Sequence, residues 1–390
     1  MFSRSQATFR PPVMQARAWL TGVEFPPERP LINVSQAAPL APPPAPMRAA
    51  MADIIRTDPE AHLYGPVLGL PDLRAEVAAK WTRAYGGTVV PDQVAITSGC
   101  NQAFCAALAA LTGEGDEVIL PSPWYFNHKM WCDMVGLKTV PLPTGADLLP
   151  DPDHAAALIT PRTRALVLVS PNNPGGVEYP PATIRAFFDL ARAHGIKLIL
   201  DETYRDFHSS NEPPHTLFTD PDWFDTLVQL YSFSKAYRLT GHRIGALTGS
   251  VPLLSEAEKF LDTVTICPNQ LGQRAALWGM RHLDDWLAGE RAEILSRRAA
   301  IKAQFPRLAA RGWRLMGLGA YFAYVEHPFA LPSDALAKRL VADAGILLLP
   351  GTMFTPEDDP AGPRQARIAF ANIDASEIDG FFSRLTAFNA

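Results

Sequence analysis

The stretch Ala165–Asp201, ALVLVSPNNPGGVEYPPATIRAFFDLARAHGIKLILD, decides the fold class. It opens on the short apolar run ALVLVS, crosses a loop rich in Asn, Pro and Gly, and enters PATIRAFFDLARAH, a helical pattern stopped by Gly195. It closes on a second short run, IKLILD. Runs of this kind separated by helices of about ten or more residues predict parallel strands with crossover helices.

Outward from this stretch the alternation repeats: QVAIT and a helix from about Asn101, then EVIL, and downstream TLVQLYS. The expectation is a doubly wound, mainly parallel α/β domain, in which ligands gather at the carboxyl ends of the strands. Upstream, Leu73, Val77 and Trp81 stand four apart in an amphipathic helix from Asp72 to Tyr85, ended by Gly86 and Gly87. The segment APLAPPPAPM, Ala38 to Met47, is read as an extended connector that is neither helix nor central strand, with a boundary near Met47. A long charged helix from about Asp284 to Ala309 leads into an α+β portion ending near Phe388. The expected division is residues 1–47 as an N-terminal arm and part of a small domain, 48–283 as a large α/β domain, and 284–390 as a linking helix and small α+β domain.

Composition narrows the partners. The 390 residues carry a net charge of -5 with no basic block, so neither nucleic acid nor an anionic membrane is the expected partner. No apolar run approaches the roughly 18 residues that span a bilayer. Cys100, Cys105, Cys132 and Cys267 are scattered without a CxxC pair, which predicts no disulfide framework, no metal site and a cytoplasmic protein with reduced thiols. The N-terminal MFSRSQATFRPPVMQARAWL bears arginines and no acids, a faint likeness to a transit peptide, but it has no apolar core and is read as an arm.

The residues leaving the strands are chemically rich: Gly99-Cys100-Asn101, Pro123-Trp124-Tyr125, Asn172-Asn173-Pro174, Asp201 with Tyr204, and Ser232-Phe233-Ser234-Lys235. With SPNNPGG, LILDETY, SFSKAYRLTGHRIG and ARIAFA in order, the chain resembles the fold-type I pyridoxal-phosphate enzymes, specifically the class I/II aminotransferases, from Ile32 to the RIAFAN at Arg367. The resemblance implies a three-layer fold, pyridoxal 5'-phosphate as cofactor, and ping-pong transfer of an amino group from an L-amino acid to a 2-oxo acid. A lyase or synthase on the same scaffold, such as a carbon–sulfur β-lyase, is the alternative.

By the same resemblance Lys235 is the Schiff-base lysine and, with Asp201 and Tyr204, forms the catalytic set. An amine at an apolar strand end, with cationic groups beside it, is pushed toward the neutral form that condenses with an aldehyde. Asp201 pairs with the pyridinium nitrogen, since an unpaired buried carboxylate is costly. Tyr204 and Asn173 match the donors to the ring's phenolate oxygen. Gly99 and the amides of Cys100 and Asn101 make an anion site at a helix N-terminus, completed by Ser232, Ser234 and Arg243. Tyr125 falls where an aromatic stacks on the ring, with Trp124 as its rival. Tyr64 matches a tyrosine that reaches the neighbouring subunit's phosphate, which implies a homodimer with shared sites. Arg367 matches the fork for the substrate carboxylate, with Arg364 an exposed decoy. Ala37 stands where the family usually has glycine, next to that carboxylate. The second arginine that dicarboxylate-specific members use finds no equivalent in this reading; Asp262 lies in that neighbourhood, and a neutral substrate is the preference.

Overall fold

The computed structural model describes residues 3–389. Its strands are β1 (Ile32–Asn33), β2 (Val94–Thr97), β3 (Glu117–Ser122), β4 (Lys138–Pro143), β5 (Thr163–Val169), β6 (Lys197–Asp201), β7 (Leu227–Ser232), β8 (Gly245–Thr248), β9 (Arg314–Gly319), β10 (Phe322–Glu326), β11 (Ile346–Leu347), β12 (Leu349–Pro350) and β13 (Gln365–Ala369). Seven of them form one sheet in the order β2-β8-β7-β6-β5-β3-β4. β4, β3, β5, β6 and β7 are parallel, while β8 runs antiparallel to both β7 and β2. All but β8 therefore point the same way, and their carboxyl ends share one edge.

Side chains alternate across this sheet with the period of two that a strand imposes. Leu166, Leu168, Leu198 and Leu200 join one core with residues of the helices Pro71–Tyr85, Pro181–Ala193 and Gln270–His282. Ala165, Val167, Ile199 and Leu230 join another with the helices Cys100–Leu111 and Val251–Thr265. Helices on both faces make three layers. Each fully buried leucine contributes roughly 1.5 to 3 kcal/mol, so both faces of the sheet stabilise the site's platform. In the helix Pro71–Tyr85 the expected stripe of Leu73, Val77 and Trp81 is wholly buried, and Gly86 ends it at φ 73°, in the left-handed region that glycine tolerates.

A second, antiparallel sheet has the order β12-β13-β10-β9. In it Arg367 on β13 faces Tyr324 on one side and Leu349 on the other. β1 pairs in parallel with β11, and Ile32, Val34 and Ala37 share a core with residues from Ile294 to Phe388. Two expectations need correction. The proline-rich segment is not extended throughout, because the helix Ala45–Thr57 begins within it; Pro46 sits in the first turn, where a missing N–H costs nothing. The charged helix ends at Gln304, and a separate short helix, Pro306–Ala309, begins at the proline. The edge strand β4, with two prolines, and the reversed β8 were not anticipated.

Candidate active site

The carboxyl ends of β2, β5, β6 and β7 open on a cavity of about 400 Å³, closed on the far side by Arg367 and by the helix Pro12–Ala18. Ala37, Cys100, Asn101, Tyr125, Asn173, Asp201, Tyr204, Ser232, Ser234, Lys235, Arg243 and Arg367 all line it, so residues up to 330 positions apart in the chain converge there.

Lys235 lies in the short helix Phe233–Ala236 that follows β7, capped by Ser232, whose side chain accepts from the Ser234 amide. Its Nζ donates to the Ala37 carbonyl at 2.6 Å. Burial, then the charges of Arg243 and Arg367, bring its pKa down to about 8. That amine is partly neutral near physiological pH.

Asp201 ends β6, between Val169 and Leu230. One carboxylate oxygen accepts from the Thr203 amide at 2.9 Å and lies 3.5 Å from Cys100 Sγ; the other is 3.4 Å from His128 Nε2. Burial alone would raise its pKa, but His128 and Thr203 outweigh that effect and hold it below the ordinary carboxylate range. His128 was missed in the sequence. It belongs to the helix Phe126–Met134, is stacked on Phe104 at 3.9 Å, and carries no motif of its own. Its position just after PSPWYF in a strand-end helix was the only available signal.

Gly99 does not line the cavity but caps the helix Cys100–Leu111 at φ 89°. A Cβ there would stand 2.4 Å from the Arg243 guanidinium. A Cβ on Gly245 would stand 2.6 Å from the Cys100 amide nitrogen. Both glycines thus let a helix N-terminus and an arginine meet around one small space. Arg243 itself adopts φ 56° and donates to the Thr240 carbonyl at 3.1 Å.

Arg367 is 2% exposed. It donates to Asn173 Oδ1 at 2.9 Å and to the Ser35 carbonyl, and lies over the rings of Phe322 and Phe354, while its Nε has no partner among the described residues. Burial brings its pKa down to about 10, with Tyr204 and Tyr125 acting in the opposite sense. Tyr204 is itself buried, and burial raises its phenol well above the usual value. Tyr125 lines the cavity, its hydroxyl 3.3 Å from Asn101 Oδ1, whereas Trp124 is packed in the core.

Three sequence-picked residues lie elsewhere. Tyr64 is 80% exposed and outside the cavity. Asp262 is exposed on the helix Val251–Thr265. Arg364, expected to be exposed, is half-buried because its guanidinium donates to the Phe329 carbonyl at 3.0 Å.

The donor set fits pyridoxal 5'-phosphate. It combines a carboxylate kept ionised in a cavity wall, an amine kept close to neutrality, and a cradle at a helix N-terminus that a single Cβ on Gly99 would fill.

Comparison with known proteins agrees with this chemistry. The family described as Aminotransferase class I and II matches residues 29–385. The valine–pyruvate aminotransferase of Mycobacterium tuberculosis is 32% identical over 87% of each chain, and the arginine–pyruvate transaminase of Pseudomonas aeruginosa 31% identical over 80% of this chain and 79% of its own. An aspartate aminotransferase mutant of Thermus thermophilus superposes with a TM-score of 0.88 at 26% identity, covering 99% of this chain and 98% of that one. The relatives are named as aminotransferases, not as lyases. This chain belongs to the class I and II aminotransferases, enzymes that depend on pyridoxal phosphate.

Proposed function

We propose that the strand-end cavity is where this aminotransferase holds pyridoxal 5'-phosphate and moves an amino group from an L-amino acid to a 2-oxo acid in two half-reactions. When bound, the cofactor supplies an aldehyde that condenses with amines and a ring that accepts the electron pair of the substrate's Cα–H bond. The amides of Cys100 and Asn101, with Ser232, Ser234 and Arg243, hold its phosphate. Asp201, oriented by His128, keeps a proton at the ring nitrogen. Asn173 Oδ1 is taken by Arg367, so its amide N–H, with the Tyr204 hydroxyl, is left to serve the ring's phenolate oxygen. Tyr125 covers the ring face. Lys235 Nζ takes the proton from the substrate's α-carbon, and Arg367 grips the α-carboxylate with Ala37 close by.

The observation that carries this reading is the Lys235 amine at about 8, sharing one cavity with Asp201 and Arg367. The test is borohydride reduction of the purified protein followed by peptide mass spectrometry, together with single-turnover mixing with an amino acid. The cofactor should be found on Lys235, and one equivalent of 2-oxo acid should form without a second substrate. Attachment at another lysine, or release of ammonia or a thiol instead, overturns the assignment.

Three further readings belong to this proposal. The chain acts as a homodimer in which the exposed Tyr64 completes the phosphate site of the partner subunit. It works in the cytoplasm, where its four free thiols stay reduced. The division into residues 1–47, 48–283 and 284–390 stands as the domain scheme, with the helix Ala45–Thr57 crossing its first boundary. Among the described residues no helix is long and apolar enough to cross a membrane.

A further inference from the structure

Two asparagines meet at one hydroxyl in the cavity wall. Asn127 Nδ2 donates to the Tyr125 hydroxyl at 2.8 Å, and that hydroxyl donates to Asn101 Oδ1 at 3.3 Å. All three residues line the cavity. Burial, and after it the charge of Asp201, pushes the Tyr125 phenol up to about 12, so the hydroxyl keeps the proton it gives to Asn101. With a donor on one side and an acceptor on the other, it cannot swing without losing a bond. The ring is braced as well. It stands edge-on to His128, with centroids 5.1 Å apart and planes at 83°, and lies tilted against Phe126 at the same separation.

The two anchors come from separate helices. Asn101 is in the first turn of Cys100–Leu111, where its amide belongs to the cradle, and Asn127 is in the first turn of Phe126–Met134, directly before the His128 that faces Asp201. A chain of contacts thus runs from the cradle through Asn101, Tyr125 and Asn127 to the neighbour of Asp201. A side chain with free rotamers must give them up when it packs on a ligand, whereas one already fixed has little to lose. We infer that Asn127 and the Asn101 side chain are positioning residues that hold the Tyr125 ring at a fixed tilt for the cofactor's face, with the hydroxyl as the anchor. Cradle, stacking ring and ring-nitrogen partner are then in register before the cofactor arrives. The inference rests on the functional reading above, which puts the cofactor's ring against Tyr125.

The test is a double-mutant cycle on the holoenzyme: wild type, Asn127→Ala, Tyr125→Phe and the two together. The readouts are affinity for pyridoxal 5'-phosphate and the visible circular dichroism of the bound cofactor. Asn127→Ala should weaken cofactor binding by about two- to tenfold, the scale of ordering one side chain on binding, and should reduce the dichroism per bound cofactor. Tyr125→Phe keeps the ring and loses the anchor, so it should do the same. In that background Asn127→Ala should change affinity by less than about twofold, because the bond it removes is already gone. Asn101→Ala repeats the cycle from the other helix and decides the matter where Asn127→Ala does not fold. Losses that add in the double variant, an unchanged Asn127→Ala, or a change confined to the amino donor's KM overturns the anchoring and leaves the aminotransferase site standing. A wild type whose cofactor is not held on Lys235 overturns the functional reading, and this inference with it.

Discussion

Asp201 and Glu202 are chain neighbours, both buried and both held below the ordinary carboxylate range, and each has a histidine nitrogen at 3.4 Å, His128 for one and His215 for the other. They differ in the face of the sheet they take. Strand alternation puts Asp201 with Val167 and Ile199, where the carboxyl end opens on the cavity, and Glu202 with Leu198 and Leu200, where it is sealed. Glu202 accepts from the Tyr85 hydroxyl at 2.5 Å and from Gln229 Nε2 at 2.6 Å. Burial works against its ionisation, but His215, Arg205 and Tyr85 bring its pKa down to about 2. A buried, ionised carboxylate is therefore no mark of function in itself. The distinguishing feature is open space beside it, lined with complementary groups.

The contrast makes opposite demands of the two residues. Asp201→Asn should cut the single-turnover rate by roughly a hundredfold or more, the scale of removing one preorganised electrostatic partner, while thermal unfolding changes little. A variant that keeps its rate at saturating cofactor would place Asp201 with Glu202 as a structural group. Glu202→Ala should do the reverse. Stripping one member from a buried charged network lowers stability by roughly 3 to 5 kcal/mol, read by urea unfolding, with the rate per folded molecule nearly unchanged. A large rate loss in folded Glu202→Ala would erase the distinction.

The cavity side should also show itself in pH dependence. Lys235 has its folded pKa lowered to about 8, below the roughly 10.4 of an unfolded lysine, so between those values the unfolded chain binds more protons. The cofactor-free protein should gain a contribution to stability as pH rises through that window, and Lys235→Met should remove it. Matching pH profiles for the two proteins would mean that Lys235 is not held as described.

Arg364 and Arg367 repeat the contrast more weakly. Arg367→Lys, measured by kcat/KM, should weaken every substrate by about tenfold, as one of two charge-assisted bonds is lost. Arg364→Lys exchanges a single bond to a carbonyl and should leave kcat/KM within about twofold, a few tenths of a kcal/mol. A larger effect at Arg364 would move the carboxylate clamp.

Much of this was legible in the chain. β-branched runs separated by a helical period can hardly avoid a parallel α/β sheet, and each polar residue following such a run is carried to the same edge. The exits after β2, β5, β6 and β7 could thus be read one strand at a time, down to Lys235 and Asp201. The helix start inside APLAPPPAPM was misjudged because proline forbids a helix interior but not a first turn.

Other features are decided by which surfaces meet. His128 reaches Asp201 from 73 positions away, Tyr85 reaches Glu202 from 117, and Arg17 joins the cavity lining only because the helix Pro12–Ala18 packs there. Gly245 matters because β8 runs back against the helix N-terminus at Cys100. The sequence by itself determined the layers, the strand edge and which polar residues leave it, because periodicity and strand exits are local. The tertiary structure alone decided which carboxylate faces the cavity and what holds it ionised, because burial and charge depend on neighbours that arrive from distant parts of the chain.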